Sequence, residues 1–157
     1  MSEAVRAPKT TRHLEELQRL VRDKSSAASF APIAQLIGFE AVDFALGRSV
    51  FEMDASSRHA NPMGTLHGGV ICDLSDAAMG TAMASTLEDD ETFTTLDLSV
   101  KFFKPIWNAR LRATAHVVKR TRTLGLIECE VEDDKGSLVA KVYSSCMVLR
   151  GQEAKGR

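Results

Sequence analysis

The fold is decided by residues 59–87, HANPMGTLHGGVICDLSDAAMGTAMASTL, in which a polar loop runs into a long apolar segment. From Gly68 to about Leu87, apolar residues recur every three or four positions, as they do on one face of a helix. The residues on that face are Val70, Leu74, Ala77, Ala78 and Thr81. The preceding loop, Ser56 to Gly69, is rich in polar residues, and a loop of that length in a compact domain usually has a function.

The flanking segments predict further helices and strands. Upstream, Thr11 can cap a helix that is broken near Asp23. A short helical piece beginning at Phe30 should end at Gly38, and two strands should follow around Gly47. Downstream, alternating residues predict four consecutive antiparallel strands, Thr95–Phe102, Leu111–Lys119, Leu126–Val131 and Leu138–Leu149.

One long helix beside a long antiparallel sheet is an α+β arrangement. A sheet that wraps a single apolar helix is the hotdog fold, which we expect here, with an additional N-terminal helix. The predicted divisions are a helical extension at 1–29, the domain at 30–150 and a polar tail at 151–157.

The composition argues against several classes of function. The 157 residues are 44% hydrophobic and 26% charged, as in ordinary single-domain soluble proteins. A formal net charge of −1 provides no global basic field for nucleic acids or membranes. No apolar run approaches the roughly 20 residues of a membrane-spanning helix, and the N-terminus lacks a secretory apolar segment. Three widely spaced cysteines predict reduced thiols. We therefore expect a cytoplasmic protein with no nucleic-acid or membrane partner.

Two glycines, Gly68 and Gly69, open the long helix. The start of a helix leaves backbone N–H groups unpaired and carries partial positive charge. Because Gly68 has no side chain, an oxygen of a ligand can approach its N–H closely. Such a group could polarise a carbonyl and stabilise an oxyanion. The alternative is a tight junction between loop and helix that binds nothing.

Asp76 lies in the middle of the same helix, among apolar and small residues. A carboxylate there is unusual, because burying a charge is costly unless the charge is paired or used. Its surroundings should raise its pKa above that of a surface aspartate. The alternative is a structural or solvent-facing aspartate.

The spacing of Gly68 and Asp76 has a consequence for assembly. Eight residues of helix separate them by roughly 12 Å, at 1.5 Å per residue. One reacting carbon cannot lie within bonding reach of both. If both groups act on one substrate, they must come from different chains across a two-fold axis.

Two other loop residues are candidates for the same site. The amide of Asn61 could hold a water or a carbonyl, or it could form an Asx turn before Pro62. His67 could be a base, although its place beside Gly68 suggests a positioning role. A metal site built from His59, His67 and Asp76 has no supporting HxH or HExxH spacing, so no metal is expected.

These residues resemble a known family. The segment His59–Gly69, followed by Asp76 and Thr95–Leu98, is similar to the PaaI-type branch of hotdog-fold thioesterases. The shared pattern is N-x-x-G-x-x-H-G-G-x₆-D, and the resemblance extends from about Ile33 to Leu149.

The resemblance implies hydrolysis of an acyl-CoA thioester by a homodimer or a homotetramer built as a dimer of dimers. Asp76 would be nucleophile or general base, and the Gly68 N–H would polarise the carbonyl across the subunit interface. Asn61 would position the thioester or water, with His67 in support, and the Thr95 hydroxyl would help to orient water.

CoA would lie along the subunit surface as part of the substrate, and no cofactor is expected. Candidates for binding its phosphates are Arg120, Arg122 and Thr123 in a hairpin turn, followed by Lys104; the alternative is a solvated basic turn. Two other functions are possible on this fold. One is an enoyl-CoA hydratase or dehydratase, and the other is a non-catalytic acyl-CoA binding module. The preferred acyl group stays open.

Overall fold

The computed structural model describes residues 10–23 and 31–155. In chain order the helices and strands are α1 (Arg12–Arg22), α2 (Pro32–Ile37), β1 (Phe39–Ala45), β2 (Arg48–Ala55), α3 (Gly68–Ala84), β3 (Glu91–Phe102), β4 (Ala109–Arg120), β5 (Leu124–Asp133) and β6 (Leu138–Arg150). Short 3₁₀ turns occur at Ser57–His59 and Gly151–Ala154.

The strands form one six-stranded antiparallel sheet in the order β1-β2-β4-β5-β6-β3. Helix α3 packs across one face of this sheet, and the core lies between the two. The strand residues that face α3 are apolar and fully buried, among them Phe51, Met53, Leu111, Ala113, Ala115, Ile127, Cys129 and Val131. The predicted α+β hotdog architecture with an additional N-terminal helix is therefore confirmed.

Helix α3 differs from its prediction in two respects. It ends at Ala84 rather than near Leu87, because the Ser85 hydroxyl donates to the Ala82 carbonyl and tightens the last turn. Its buried face is also rotated. Val70 and Ala77 are only partly buried, whereas the residues fully packed on the sheet are Ile71, Leu74, Ser75, Ala78, Met79, Thr81, Ala82 and Met83.

The strand boundaries also shift. Strand β3 starts at Glu91, four residues before the predicted start at Thr95, because its register with β6 continues to Arg150. The Glu91 carboxylate lies between two guanidinium groups at this end, Arg120 at 2.7 Å and Arg150.

Helix α2 begins at Pro32 and, as predicted, is ended by Gly38, whose φ of 91° is left-handed. The predicted start of that helix, Phe30, lies outside the described residues.

Helix α1 packs on β1, at the sheet edge opposite β3. Its cap is Thr11, as predicted: the hydroxyl accepts from the Leu14 N–H at 3.1 Å and donates to the Ser85 carbonyl at 2.7 Å. Leu14 is buried, and Gln18 donates to the Phe44 carbonyl of β1. One sheet edge is thus covered by the chain's own helix. Within residues 10–23 and 31–155, no helix is long and apolar enough to cross a membrane.

Candidate active site

Asp76 lies on the third turn of α3, on the side that faces away from the buried core. It lines two adjoining grooves, one towards α2 and one towards β3. On the β3 side the Thr95 hydroxyl lies 3.5 Å from the Asp76 carboxylate, the long limit for a hydrogen bond. The sequence placed both residues in the site, and the structure brings them together within one chain.

The pKa of Asp76 is raised above its ordinary value. The largest cause is desolvation by the surrounding protein, even though one side of the carboxylate is accessible to solvent. The Thr95 hydroxyl opposes this by lowering the pKa, and the negative charge of Asp73 raises it further. A carboxylate with these neighbours is a candidate base or nucleophile.

Asp73 is a site residue that the sequence reasoning missed. It precedes Asp76 by three residues, so the two carboxylates lie on one side of the helix, and Asp73 lines both of the same grooves. Its side chain is exposed and forms no ion pair within the part of the chain that the structure describes. The signal was available, because a D-x-x-D spacing on a helix always places its two acids as neighbours.

Gly68 is the first residue of α3, and its N–H has no acceptor among residues 10–23 and 31–155. It lines a third groove, of about 470 Å³, whose walls include Leu66, Ile71 and Phe102. The Phe102 ring lies over the glycine, since a Cβ built at Gly68 would be 3.0 Å from the ring. An unpaired amide at the positive end of a helix, in an apolar groove, can bind a carbonyl or oxyanion oxygen.

His67 is the N-cap of α3. Its Nδ1 accepts a hydrogen bond of 2.9 Å from the Gly69 N–H. The second helical amide is therefore occupied by the cap, whereas the Gly68 amide is not. This contact is consistent with the positioning role expected of His67.

The Asn61 side chain forms hydrogen bonds within its own loop. Its amide donates to the Thr65 hydroxyl at 2.9 Å and accepts from the Met63 N–H at 2.9 Å. Its backbone carbonyl also accepts from Gly64, whose φ is 84°. This is the Asx-turn alternative, and one amide N–H is left to bind a ligand.

The loop is further fixed to α2 by His59. The Nε2 atom lies 2.8 Å from the Ile37 carbonyl and therefore carries the proton, and Nδ1 accepts from the Ser56 N–H. Arg58 donates to the Leu36 carbonyl at 3.0 Å. The sequence reasoning did not anticipate this attachment. Within the described residues, no three His, Cys, Asp or Glu side chains are grouped so as to hold a metal ion.

The four candidate CoA-binding residues are not equivalent. Lys104 lines the Gly68 groove but is paired with Asp133 at 2.5 Å, and Arg120 is paired with Glu91. Arg122 and Thr123 are exposed in the β4–β5 turn. That turn lies near the C-terminal end of α3, because Gly125 packs directly against Met83. Arg122 thus lies near the opposite end of α3 from Gly68 of its own chain.

Strand β3 forms the other edge of the sheet, and no further strand pairs with it within residues 10–23 and 31–155. It is 12 residues long, and its register with β6 shifts between Thr95 and Asp97, which leaves Leu96 as a bulge with 52% of its surface exposed. Bulges commonly occur next to active sites, where they redirect side chains. Here the bulge follows directly after Thr95, which points towards α3 and Asp76.

Comparisons with known proteins find related thioesterases. Residues 63–140 match the family model of the thioesterase superfamily. Human acyl-coenzyme A thioesterase 13 is 26% identical over 129 residues, covering 81% of this chain and 90% of that protein. The 1,4-dihydroxy-2-naphthoyl-CoA hydrolase of Listeria monocytogenes is 24% identical, over 78% of this chain and 98% of that protein.

Solved structures show the same fold. A mutant of the phenylacetic acid degradation protein PaaI from Thermus thermophilus superposes with a TM-score of 0.70 and 25% identity, covering 74% of this chain and 98% of that one. Escherichia coli PaaI superposes with a TM-score of 0.75 at 19% identity, over 85% and 96% of the two chains, which supports the fold alone.

Proposed function

Because this chain belongs to the thioesterase superfamily and is a thioester hydrolase, we propose that it cleaves acyl-CoA with Asp76 of one subunit and Gly68 of another. The observation that carries the proposal is the separation of two complementary groups on one helix. A carboxylate of raised pKa lies eight residues from an amide that has no acceptor in the described chain. At roughly 12 Å apart, they can meet on one carbonyl only if they come from two chains.

The outer edge of β3 is where a second subunit would dock. Edge strands with free backbone groups pair readily with another chain, and proteins usually cover them. In this chain α1 packs on β1, whereas within the described residues no strand pairs with the outer edge of β3, which exposes Leu96 and Phe102. Pairing β3 with its copy would create two equivalent sites next to Asp76 and Thr95. A homotetramer would then be two such dimers.

The reaction follows from the two groups. The thioester oxygen accepts a hydrogen bond from the Gly68 N–H, which makes the carbonyl carbon more electrophilic. Asp76 of the partner then either attacks that carbon, forming a mixed anhydride that water hydrolyses, or removes a proton from an attacking water. In both routes the carbon–sulfur bond breaks, the CoA thiolate leaves and the free acid forms. Thr95 would orient the water.

The remaining elements of the proposal concern the rest of the substrate. Asn61 and His67 would hold the loop around the thioester, and the phosphates of CoA would contact Arg122 and Thr123 of the β4–β5 turn. Of the four candidate CoA-binding residues these two form no ion pair within the described residues, whereas Arg120 and Lys104 are paired with carboxylates. No cofactor is required, and a cytoplasmic location suits reduced cysteines.

The test is replacement of Asp76 by Asn, with Asp134→Asn in an exposed turn as a matched control. Asp76→Asn should lower kcat by about 10²–10⁴-fold on acyl-CoA substrates, measured by thiol release, and the control should not. Because the raised pKa means that the folded state disfavours the ionised carboxylate, Asp76→Asn should not lower the Tm at neutral pH. Near-normal turnover of a folded Asp76→Asn enzyme would refute the catalytic role of Asp76.

Hydration of crotonyl-CoA, assayed in parallel on the wild type, would instead indicate a hydratase.

A further inference from the structure

The groove on the α2 side of Asp76 has no role in the chemistry described above. Its volume is about 270 Å³, and it lies between α3 and the segment around α2. Its lining residues are Ala31, Ile33, Phe39, Asp73, Asp76, Ala77, Gly80 and Thr81. The two acids lie towards the N-terminal end of α3, and the rest of the lining is apolar or small.

We propose that this groove binds the acyl tail of the substrate, and that it selects an uncharged, apolar acyl group of medium length. This inference rests on the proposed function, because it places the thioester carbon at Asp76. From there the groove leads away from β3 and the subunit contact, so the tail and the CoA portion leave the carbonyl in different directions.

The length follows from the helix. Beyond Asp76 the groove extends along α3 to Thr81, five residues or roughly 7.5 Å at 1.5 Å per residue. An extended hydrocarbon covers about 1.25 Å per carbon–carbon bond, so about six carbons fit beyond the carbonyl. Each methylene taken out of water contributes about 0.8 kcal/mol, which is about a fourfold gain in kcat/KM per carbon until the groove is full.

The charge preference follows from Asp73. It lines the groove beside Asp76, and the lining residues among 10–23 and 31–155 include no Lys, Arg or His. A second carboxylate on the acyl group, as in succinyl-CoA, would be repelled by two acids with no cation to offset them. Asp73 is thus a specificity residue that excludes anionic acyl groups.

The wall opposite α3 provides a matched pair of variants. Ile33 lines the groove and is 46% exposed, whereas Leu36 lies on the same short helix, is 71% exposed and does not line it. Both tolerate substitution because neither is part of the buried core. We would compare Ile33→Trp with Leu36→Trp, and Ile33→Ala with Leu36→Ala, on acetyl-, butyryl-, hexanoyl-, octanoyl-, decanoyl- and succinyl-CoA.

For the wild type, kcat/KM should rise from acetyl- to octanoyl-CoA and then level off. In Ile33→Trp the octanoyl-to-acetyl ratio should fall at least about tenfold because the indole fills the groove, while Leu36→Trp keeps the wild-type ratio. In Asp73→Asn the succinyl-to-butyryl ratio should rise several-fold. Thermal unfolding checks that every variant is folded.

The outcomes separate the two proposals. If the wild type releases thiol from none of these substrates, the proposed function fails. If the wild type is active but its profile is flat with chain length, or if both tryptophan variants and both alanine variants match the wild type, the acyl groove is refuted while the thioesterase stands. An unchanged succinyl-to-butyryl ratio in Asp73→Asn would refute the selection by charge.

Discussion

The first and third turns of α3 differ in charge and in hydrogen-bonding state. Within residues 10–23 and 31–155, the groove around Gly68 is mostly apolar with one charged lining residue, the paired Lys104, and the Gly68 amide has no acceptor. In the same part of the chain, the two grooves around Asp76 are lined by Asp73, Asp76 and Asp97 and by no basic residue. If one chain placed the amide beside Asp76, the carboxylate would accept from it and its pKa would fall. In the proposed dimer, the donor and the acid at each site would come from different subunits, so neither is occupied by the other within one chain.

The largest effect on activity is expected from removing the Gly68 amide while keeping the helix intact. Gly68→Pro eliminates the N–H, and proline is well tolerated at the first position of a helix. Gly68→Ala keeps the N–H and adds a Cβ whose nearest neighbours are atoms of the exposed Phe102 ring. We expect Gly68→Pro to lower kcat about 10²–10³-fold and Gly68→Ala to lower it far less, measured by thiol release. Equal losses would show that the effect is steric.

The same variant tests whether the two turns act across a subunit interface. Gly68→Pro and Asp76→Asn each destroy both sites of a homodimer, but a mixed dimer regains one site with both groups intact. After co-refolding, random pairing should restore about a quarter of wild-type activity. Mixtures that stay as inactive as their components would place both groups in one chain.

The sequence predicted most of the site because its pattern is local. Thr11 and Gly38 bound helices by their own chemistry. The alternation of residues 95–102 puts Thr95 on the polar face, whereas the bulge at Leu96 turns it towards α3 and Asp76. The family resemblance therefore pointed to Thr95, because periodicity alone predicts the other face. Periodicity also placed the helix face a few tens of degrees off, because Val70 and Ala77 are apolar whether or not they touch the sheet.

What the sequence could not supply depends on packing between distant elements. The attachment of His59 to the Ile37 carbonyl and the groove between Ile33 and Ala77 join segments that no periodicity connects. The pairing of Lys104 with Asp133 likewise brings together residues from the loop after β3 and the end of β5. These contacts decide which basic residues are available to a ligand.

A smaller effect is expected on the pH dependence of activity, through the groups around Asp76. The acid limb of kcat/KM against pH reports the pKa of the free enzyme's base, which must be ionised to act. Asp73→Asn removes a negative charge that raises the pKa of Asp76, so the limb should move to lower pH. Thr95→Val removes a hydroxyl that lowers that pKa, so the limb should move to higher pH. Asp89→Asn, in an exposed loop, is the control, and shifts in the same direction for the first two variants would contradict the assignment.

The smallest effect on activity is expected from Lys104, the charged residue that lines the Gly68 groove. Lys104 lies in that groove, but its ammonium contacts Asp133 at 2.5 Å, and this bond is the main reason that the pKa of Asp133 is lowered to about 2. Since an unfolded aspartate titrates near 3.9, Asp133 contributes stability above about pH 4 that is lost as the pH falls towards 2. Lys104→Met should therefore lower the Tm at pH 7 and approach the wild-type Tm near pH 2, while KM for acyl-CoA changes little. A KM that rises steeply, with an unchanged Tm, would mean that Lys104 binds a CoA phosphate and that the Gly68 half is not neutral.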